Sequence, residues 1–580
     1  MKNIVKKVIK EQILRIIFIA ILIALNIYLL TFPSKLLGNI IDLLVNIEKN
    51  KSQIIVNIWK LLAAAIGIIL LRIGWRYSIA YTSRMFEKEM RNKLFEHFSK
   101  LKLSSIQNIK NGELMSYFVK DIGEVRGFSY KILSQGLRTI FIIIITTYTM
   151  RSVNLTLTIA TMCPIIITVC LVLILKQYIE KSFKKSQKYF TLLSSYVQES
   201  TDAIRTTKAY SGERNQLKKF IKRNQLLKKS NIAVDIYSNL LSTSVIICFG
   251  FCYGITLIYG SKLVLNDIIS IGDLVAFTGY IDMFISPIMW LPSIISKYER
   301  ANLSYHRLDN IFKLEEENLK LEGINSTDRI HGDIEIKSLT FNYPGNLDCV
   351  LDDISVTIPE GQTLGIIGTI GSGKTTLMNL ILRLYQIPNG KISINNTDIN
   401  DIELTTLRNS ISYITQDNFL FSTTIKENIS LFRDEFKDEE IELSTEKSMI
   451  SDDIKNMNDG IHTVIGERGI DLSGGQKQRV VISRAFLNKS NIVIFDDSFS
   501  ALDNKTEKLL LENIKHLVQG KTCIIISNRI SDVKEADNII VLDSGKIIER
   551  GSHTELLKNN GLYNKFYNQQ SSKTEDSILN

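Results

Sequence analysis

The chain has 580 residues, 45% of them hydrophobic and 22% charged, with a formal net charge of +10. That length exceeds one ordinary domain, and so much apolar residue beside so much charge indicates a membrane part and a soluble part in one polypeptide. The six cysteines, Cys163, Cys170, Cys248, Cys252, Cys349 and Cys523, lack zinc or redox spacing, which excludes a disulfide framework or a zinc module.

Lys2, Lys6, Lys7 and Lys10 precede a long apolar run. It imitates a signal peptide but is too long and has no small-residue cleavage site, so a retained first span is expected. Six apolar segments, near 13–32, 54–80, 132–150, 153–175, 239–261 and 273–295, approach the roughly 20 residues needed to cross a bilayer. Lysine and arginine crowd the N-terminus and segments 84–131 and 176–229, while the connections near 47–53, 151 and 262–272 are short and carry little charge. The positive-inside rule then predicts a multi-pass protein of the cytoplasmic membrane with both termini in the cytoplasm. It also accounts for the positive charge without nucleic acid.

The two long basic connections lack proline and carry apolar residues at helical spacing, such as Met85, Met90, Leu94 and Phe98. They predict membrane helices that continue into the cytoplasm. Asp282 lies about ten residues into the sixth span, near the bilayer midplane. An acid there costs roughly 2.5–3.5 kcal/mol on insertion scales, so it must face water or a polar partner. Two roles stay open for it: a cavity acid that attracts cationic amphipaths, or half of a structural pair. Arg72 and Arg76 fit snorkelling at the end of span two. Pro287 and Pro292 are expected to kink or end span six.

Composition changes after residue 312. Residues 313–333 read as a polar linker, and in 334–568 short β-branched runs such as "TLGIIG", "NIVIFD" and "TCIIIS" alternate with helical patterns. That alternation predicts a parallel α/β sheet, and the tail 569–580 is expected to be unstructured. The fold class is thus a polytopic α-helical membrane domain of six long helices, residues 1–312, followed by a cytoplasmic α/β nucleotide-binding domain.

Between the strand "TLGIIG" and the helix "TTLMNLILRLY" stand Gly368, Thr369, Ile370, Gly371, Ser372, Gly373, Lys374 and Thr375, the pattern G-x4-G-K-[ST]. Glycines let backbone N–H groups wrap phosphates, the helix N-terminus adds positive potential, Lys374 reaches the terminal phosphates and Thr375 can ligate Mg²⁺. Further on, Ser473, Gly474, Gly475 and Gln476 open the periodic helix of "LSGGQKQRVVISRA", a second helix start shaped for an anion. Asp496 and Asp497 end the apolar run of "IVIFDD" about twenty residues later.

With this order of motifs the chain resembles an ATP-binding cassette (ABC) exporter half-transporter, the membrane domain fused ahead of the nucleotide-binding domain, over residues 10–567. "FNYPG", "ISYITQDNFLF", "TVIGERG" (463–469), "SALD" (500–503) and the membrane-domain stretches "GELMSYFVKDIGEVR" and "RANLSYHRLDNIF" carry the resemblance. It implies ATP and Mg²⁺ as ligands. Tyr343 would stack on adenine, Thr376 would join the phosphate loop, and Gln416 and Asp496 would act at the metal. Bends near 108–120 and 204–214 would be coupling helices. Each nucleotide would sit between the phosphate loop of one chain and the LSGGQ of another, so a second half-transporter is implied.

Two positions depart from the family pattern. Where it expects Glu to activate water, this chain has Asp497, and where it expects His after the strand "TCIIIS", it has Asn528. The first carboxylate falls short by about 1.5 Å, and a misplacement of about 1 Å can cost on the order of 10²-fold in rate. An amide can bond a γ-phosphate but cannot relay a proton at neutral pH. The expectation is a heterodimer in which this chain's own site binds ATP and hydrolyses it poorly, exporting amphipathic small molecules or peptides. A homodimer with an active Asp-type site and an ATP-binding regulatory subunit are the alternatives.

Overall fold

The computed structural model describes residues 10–44, 47–107, 109, 111–317, 330–346, 348–466, 469, 472–499 and 504–578. The chain divides into two compact units, Met1–Ser99 with Ile109–Leu314, and Lys100–Asn108 with Glu315–Asn580.

Among the described residues the first unit contains six helices long and apolar enough to cross a membrane: α1 (Ile13–Leu44), α2 (Glu48–Lys100), α3 (Gly112–Val153), α4 (Leu155–Asp202), α5 (Glu213–Leu265) and α6 (Ile271–Ile311). At 1.5 Å per residue the 53-residue α2 and α5 far exceed a hydrocarbon core of about 30 Å. The tight turn between α3 and α4 is made by Asn154, whose backbone is extended and whose side chain accepts from the Leu157 N–H at 3.0 Å. Helix α6 starts at a capping box, Ser270 with Asp273. Two π-helical turns, Tyr117–Asp121 and Ile132–Gly136, interrupt α3.

Asp42 of α1 fastens the start of α6. Its carboxylate accepts from Ser270 Oγ at 2.6 Å and from the Gly272 N–H at 2.7 Å. The two backbones meet where both residues are glycine: a Cβ on Gly272 would lie 2.1 Å from the Gly38 carbonyl oxygen, and one on Gly38 2.4 Å from that of Gly272. Asp282, exposed on α6, accepts a hydrogen bond from the Tyr253 hydroxyl of α5, so a polar partner for this acid lies within the chain. Helix α6 does not end at its prolines but runs on to Ile311. Packed neighbours and hydroxyl side chains make that tolerable in membrane helices. Likewise Pro164 lies inside α4, where Thr168 Oγ donates to its carbonyl at 2.7 Å.

The second unit holds a four-stranded sheet of order β2-β1-β4-β5 and a six-stranded sheet of order β10-β9-β3-β8-β7-β6. The strands are β1 (Ile334–Phe341), β2 (Leu351–Ile358), β3 (Thr363–Gly368), β4 (Ile392–Ile394), β5 (Thr397–Asp398), β6 (Ile411–Ile414), β7 (Ile492–Asp496), β8 (Thr522–Ile526), β9 (Asn538–Asp543) and β10 (Lys546–Gly551). Strands β3, β6, β7, β8 and β9 run parallel, and β10 closes the edge antiparallel to β9. Every residue of β7 and β8 is buried, because helices or the second sheet cover both faces of the parallel sheet. Helix α7 (Lys374–Ile381) fills the space between the sheets with Leu377, Met378, Leu380 and Ile381. The helices α8 (Ile425–Ser430), α9 (Asp438–Lys447) and α10 (Gly474–Leu487) share a separate core with Ile414, Val493 and Phe495.

Three regions bear on the expected boundaries. The first bend comes earlier than 108–120: a short helical turn, Leu103–Ile106, lies there, and it groups with the second unit. That unit also takes in residues assigned to the linker, because Glu315 pairs with Lys102 at 2.5 Å and Glu317 binds Arg408 at 2.9 and 3.0 Å. Residues 569–578 are helical: α13 (Leu562–Ile578) follows α11 (Asn504–Val518) and the short α12 (Ile530–Val533). Helix α13 is anchored by fully buried Tyr563, whose hydroxyl meets His553 Nδ1 at 2.7 Å. The linker centre 318–329, Glu467 and Arg468, and the "SALD" residues 500–503 lie outside the described residues.

The Gly38–Gly272 contact leaves no room for a methyl. Gly272→Ala should destabilise the membrane unit by about 1–3 kcal/mol, read as a lower midpoint of thermal unfolding in detergent, and Gly254→Ala, with open space at its Cβ, should not.

Candidate nucleotide site

The phosphate loop is the turn from β3 into α7. Gly371 and Gly373 take φ of +80° and +98°, conformations that L side chains resist. At Gly368 a Cβ would lie 2.0 Å from the Leu542 carbonyl oxygen, so the loop can seat against β9 only without a side chain. Ile370 stands at the tip, 95% exposed. Lys374 Nζ donates to the carbonyls of Gly368 and Thr369, both at 2.9 Å. Thr369 Oγ1 donates to Asp543 at 2.7 Å and ties the loop to the end of β9.

Strand order decides what this loop faces. Strand β8 lies beside β3 and β7 beside β8, all parallel, so their C-terminal ends open on one edge. Asp496 and Asp497 come from the end of β7, and Asn528 follows β8 by two residues. Asp496 is 2% exposed and accepts from the Tyr413 hydroxyl at 3.0 Å. Burial raises its carboxyl above the usual range, against the hydrogen bonds from Thr375 and Tyr413, and neighbouring Asp497 adds to the rise. Burial lowers the Lys374 ammonium, against the attraction of Asp496 and Asp497. The site thus holds a buried acid and a buried lysine that both lose hydration and are steadied by opposite charge. Asp497 has φ of +48°, and its N–H donates to the Ile526 carbonyl at 2.9 Å. That left-handed bend turns the chain out of β7 at the edge of the cleft.

Tyr343 follows β1. Its hydroxyl meets Thr376 Oγ1 at 2.9 Å, and its ring is held edge-on by Phe341 and Tyr385 at centroid distances of 5.2 and 5.1 Å. Tyr385 in turn donates to Gln107 Oε1 at 2.6 Å, so this aromatic group reaches the Leu103–Ile106 turn of the same unit. Gln416 is exposed just past β6.

Ser473 caps α10. Its hydroxyl accepts from the Gln476 N–H at 3.3 Å and Gln476 Oε1 accepts from the Ser473 N–H at 2.9 Å, a full capping box on an exposed serine. Asp453 steadies this end by accepting from Gln476 Nε2 at 2.8 Å and from Arg479 at 2.7 Å. Arg484 on the same helix donates to the carbonyls of Asn428 and Phe419 at 2.9 and 3.1 Å, joining the LSGGQ helix to the segment after Gln416. Burial pushes its guanidinium down to about 10.

The residues fit a magnesium nucleotide. A glycine-shaped loop ends at the N-terminus of α7, and Ser372 Oγ is buried with no partner among the described residues. A hydroxyl at Thr375, a carboxylate at Asp496 and an amide at Gln416 are the hard oxygen donors that Mg²⁺ takes. Tyr413, Asp453 and Arg484 were not found from sequence. They sit 83, 23 and 56 residues from the groups they hold, and no local pattern marks them.

Residues 16–288 match the family described as the ABC transporter transmembrane region, and residues 351–500 match the ABC transporter family. A probable multidrug resistance ABC transporter ATP-binding/permease protein, YheI of Bacillus subtilis, is 33% identical over 558 residues, covering 96% of this chain and 94% of that protein. The multidrug resistance-like ATP-binding protein MdlA of Buchnera aphidicola subsp. Schizaphis graminum is 32% identical over 564 residues, 96% of each. The structure of a bacterial Atm1-family ABC exporter with ATP bound shares the fold, with a TM-score of 0.79, 21% identity, and coverage of 97% of this chain and 98% of that one. The chain belongs to the ABC transporters, as an exporter-type protein that carries its transmembrane region and its ATP-binding domain in one polypeptide.

Proposed function

We propose that this chain is one half of a heterodimeric exporter that moves amphipathic small molecules, or peptides, across the cytoplasmic membrane, with both termini in the cytoplasm. The observation that carries the reading is the pair Asp497 and Asn528, which leave two neighbouring parallel strands beside the phosphate loop. Its phosphate loop binds MgATP through Gly368 to Thr376, with Tyr343 on the adenine and Gln416 and Asp496 at the metal. Asp497 is too short to activate water and Asn528 relays no proton, so hydrolysis at this site is slow. Ser473 to Gln476 instead complete the site of a different partner chain, which supplies Glu and His. The intact capping box at Ser473 supports that role. The family names of YheI and MdlA support a drug-like substrate class.

The two motifs of this chain then serve different sites. In the assembly purified with its partner, Lys374→Ala should lower steady-state ATP turnover less than ~3-fold and Ser473→Ala more than ~10-fold, a loss typical of one transition-state contact. Equal losses from both would point to a homodimer. Restoring the longer acid and the imidazole together, Asp497→Glu with Asn528→His, should raise hydrolysis at this chain's site at least ~10-fold. The readout is phosphate release with the partner's site disabled. An exposed membrane acid tied to Tyr253 also favours substrates carrying a cation. Asp282→Asn should slow export of ethidium by inverted vesicles about threefold or more, leaving ATP affinity unchanged.

A further inference from the structure

The loop that carries Asn528 is held from outside the known motifs. Strand β8 ends at Ile526, and α12 begins at Ile530 without a capping side chain at Arg529. The chain turns sharply there, and its backbone groups need partners. Gln570 of α13 supplies two. Its Nε2 donates to the Asn528 carbonyl at 2.8 Å, and its Oε1 accepts from the Ile530 N–H at 2.9 Å. One carboxamide therefore bridges the bend on both sides of Arg529, and it caps α12 from 40 residues away.

The helix that delivers it is well seated. Tyr563, Phe566 and Gln570 lie on one face of α13 at helical spacing, and Tyr563 and Phe566 pack in one cluster with Ile530. The opposite side of the bend is also tied. Arg529 donates to Glu507 of α11 at 2.8 Å, and its N–H bonds Ser527 Oγ at 3.0 Å. Ser527 Oγ in turn donates to Asp532 at 2.5 Å. The Asn528 side chain is left exposed between these two anchors.

We propose that Gln570 is a positioning residue of the nucleotide site: by clamping the Asn528–Ile530 backbone it aims the Asn528 amide at the γ-phosphate, so that the C-terminal helix sets how well this site tells ATP from ADP. The inference rests on the reading that Asn528 faces the γ-phosphate. Loss of the clamp orphans a carbonyl and an N–H at a tight bend. The loop then relaxes toward Glu507, and an amide displaced by about 1 Å loses its bond. The β-phosphate contacts, made by the phosphate loop, do not depend on it.

The test measures binding of the slowly hydrolysed analogue AMP-PNP and of ADP, each with Mg²⁺, to the purified full-length chain. Gln570→Ala should weaken AMP-PNP about three- to tenfold and leave ADP unchanged, as should Asn528→Ala. The double variant should bind no worse than Asn528→Ala alone, because both act through one contact. Gln570→Glu keeps the acceptor for Ile530 and loses the donor, and should fall between Gln570→Ala and the unmodified chain. An effect of Asn528→Ala with none from Gln570→Ala overturns the clamp and leaves the site reading standing. No effect of Asn528→Ala overturns the site reading itself. Equal weakening of AMP-PNP and ADP by Gln570→Ala reduces Gln570 to a structural residue and also overturns the proposal.

Discussion

Three parallel strands decide what this protein can do with a nucleotide. Because β8 separates β3 from β7 in the sheet, the phosphate loop, the two acids and Asn528 emerge side by side at one edge. The loop, the pair of acids and Asn528 lie far from one another in sequence. Their meeting depends on unbroken burial of "IVIFD" and "TCIII", which lets the strands lie at the centre of the sheet. A polar residue within either run would disturb the register of every group at the edge.

The same limit on burying charge appears in both units. In the nucleotide unit burial raises the Asp496 carboxyl and lowers the Lys374 ammonium, and the attraction between the two opposes both shifts. In the membrane unit two acids find donors: Asp121, fully buried, pairs with Arg307, and the exposed Asp282 takes the Tyr253 hydroxyl. Asp42 is answered by a hydroxyl and a backbone N–H at a point where only glycine lets two helices touch. In each case the fold supplies a specific partner, and removing it would leave a charge in a poor solvent.

Much of this was legible in the sequence, and the reasons differ by element. The six membrane helices announce themselves by apolar length, a signal that no tertiary context overrides. The phosphate loop and LSGGQ were legible because glycine spacing before a helix has one main physical use. Ser473 both caps its helix and is exposed there. What stayed hidden was long-range: Tyr413 on Asp496, Arg484 on Phe419, Gln570 on Asn528. The polar segment 569–580 looked unstructured by composition, yet Tyr563 and Phe566 ahead of it supply the apolar anchor that a helix needs, and Gln570 extends the hold.

The Asp497 bend shows why a single methylene matters in such a place. The residue sits at φ of +48° with its N–H fixed to the Ile526 carbonyl, so its backbone cannot swing to make up a shorter side chain. Moving the carboxylate forward by about 1.5 Å would require the end of β7 to slide along β8, and the ladder from Ile492 to Asp496 opposes that. On the proposed reading, rigidity that would serve a metal at Asp496 would also withhold reach from Asp497. On that reading, the same edge of the sheet would hold a nucleotide firmly and still leave the attacking water without its base, so that tight binding and slow hydrolysis would be two consequences of one geometry.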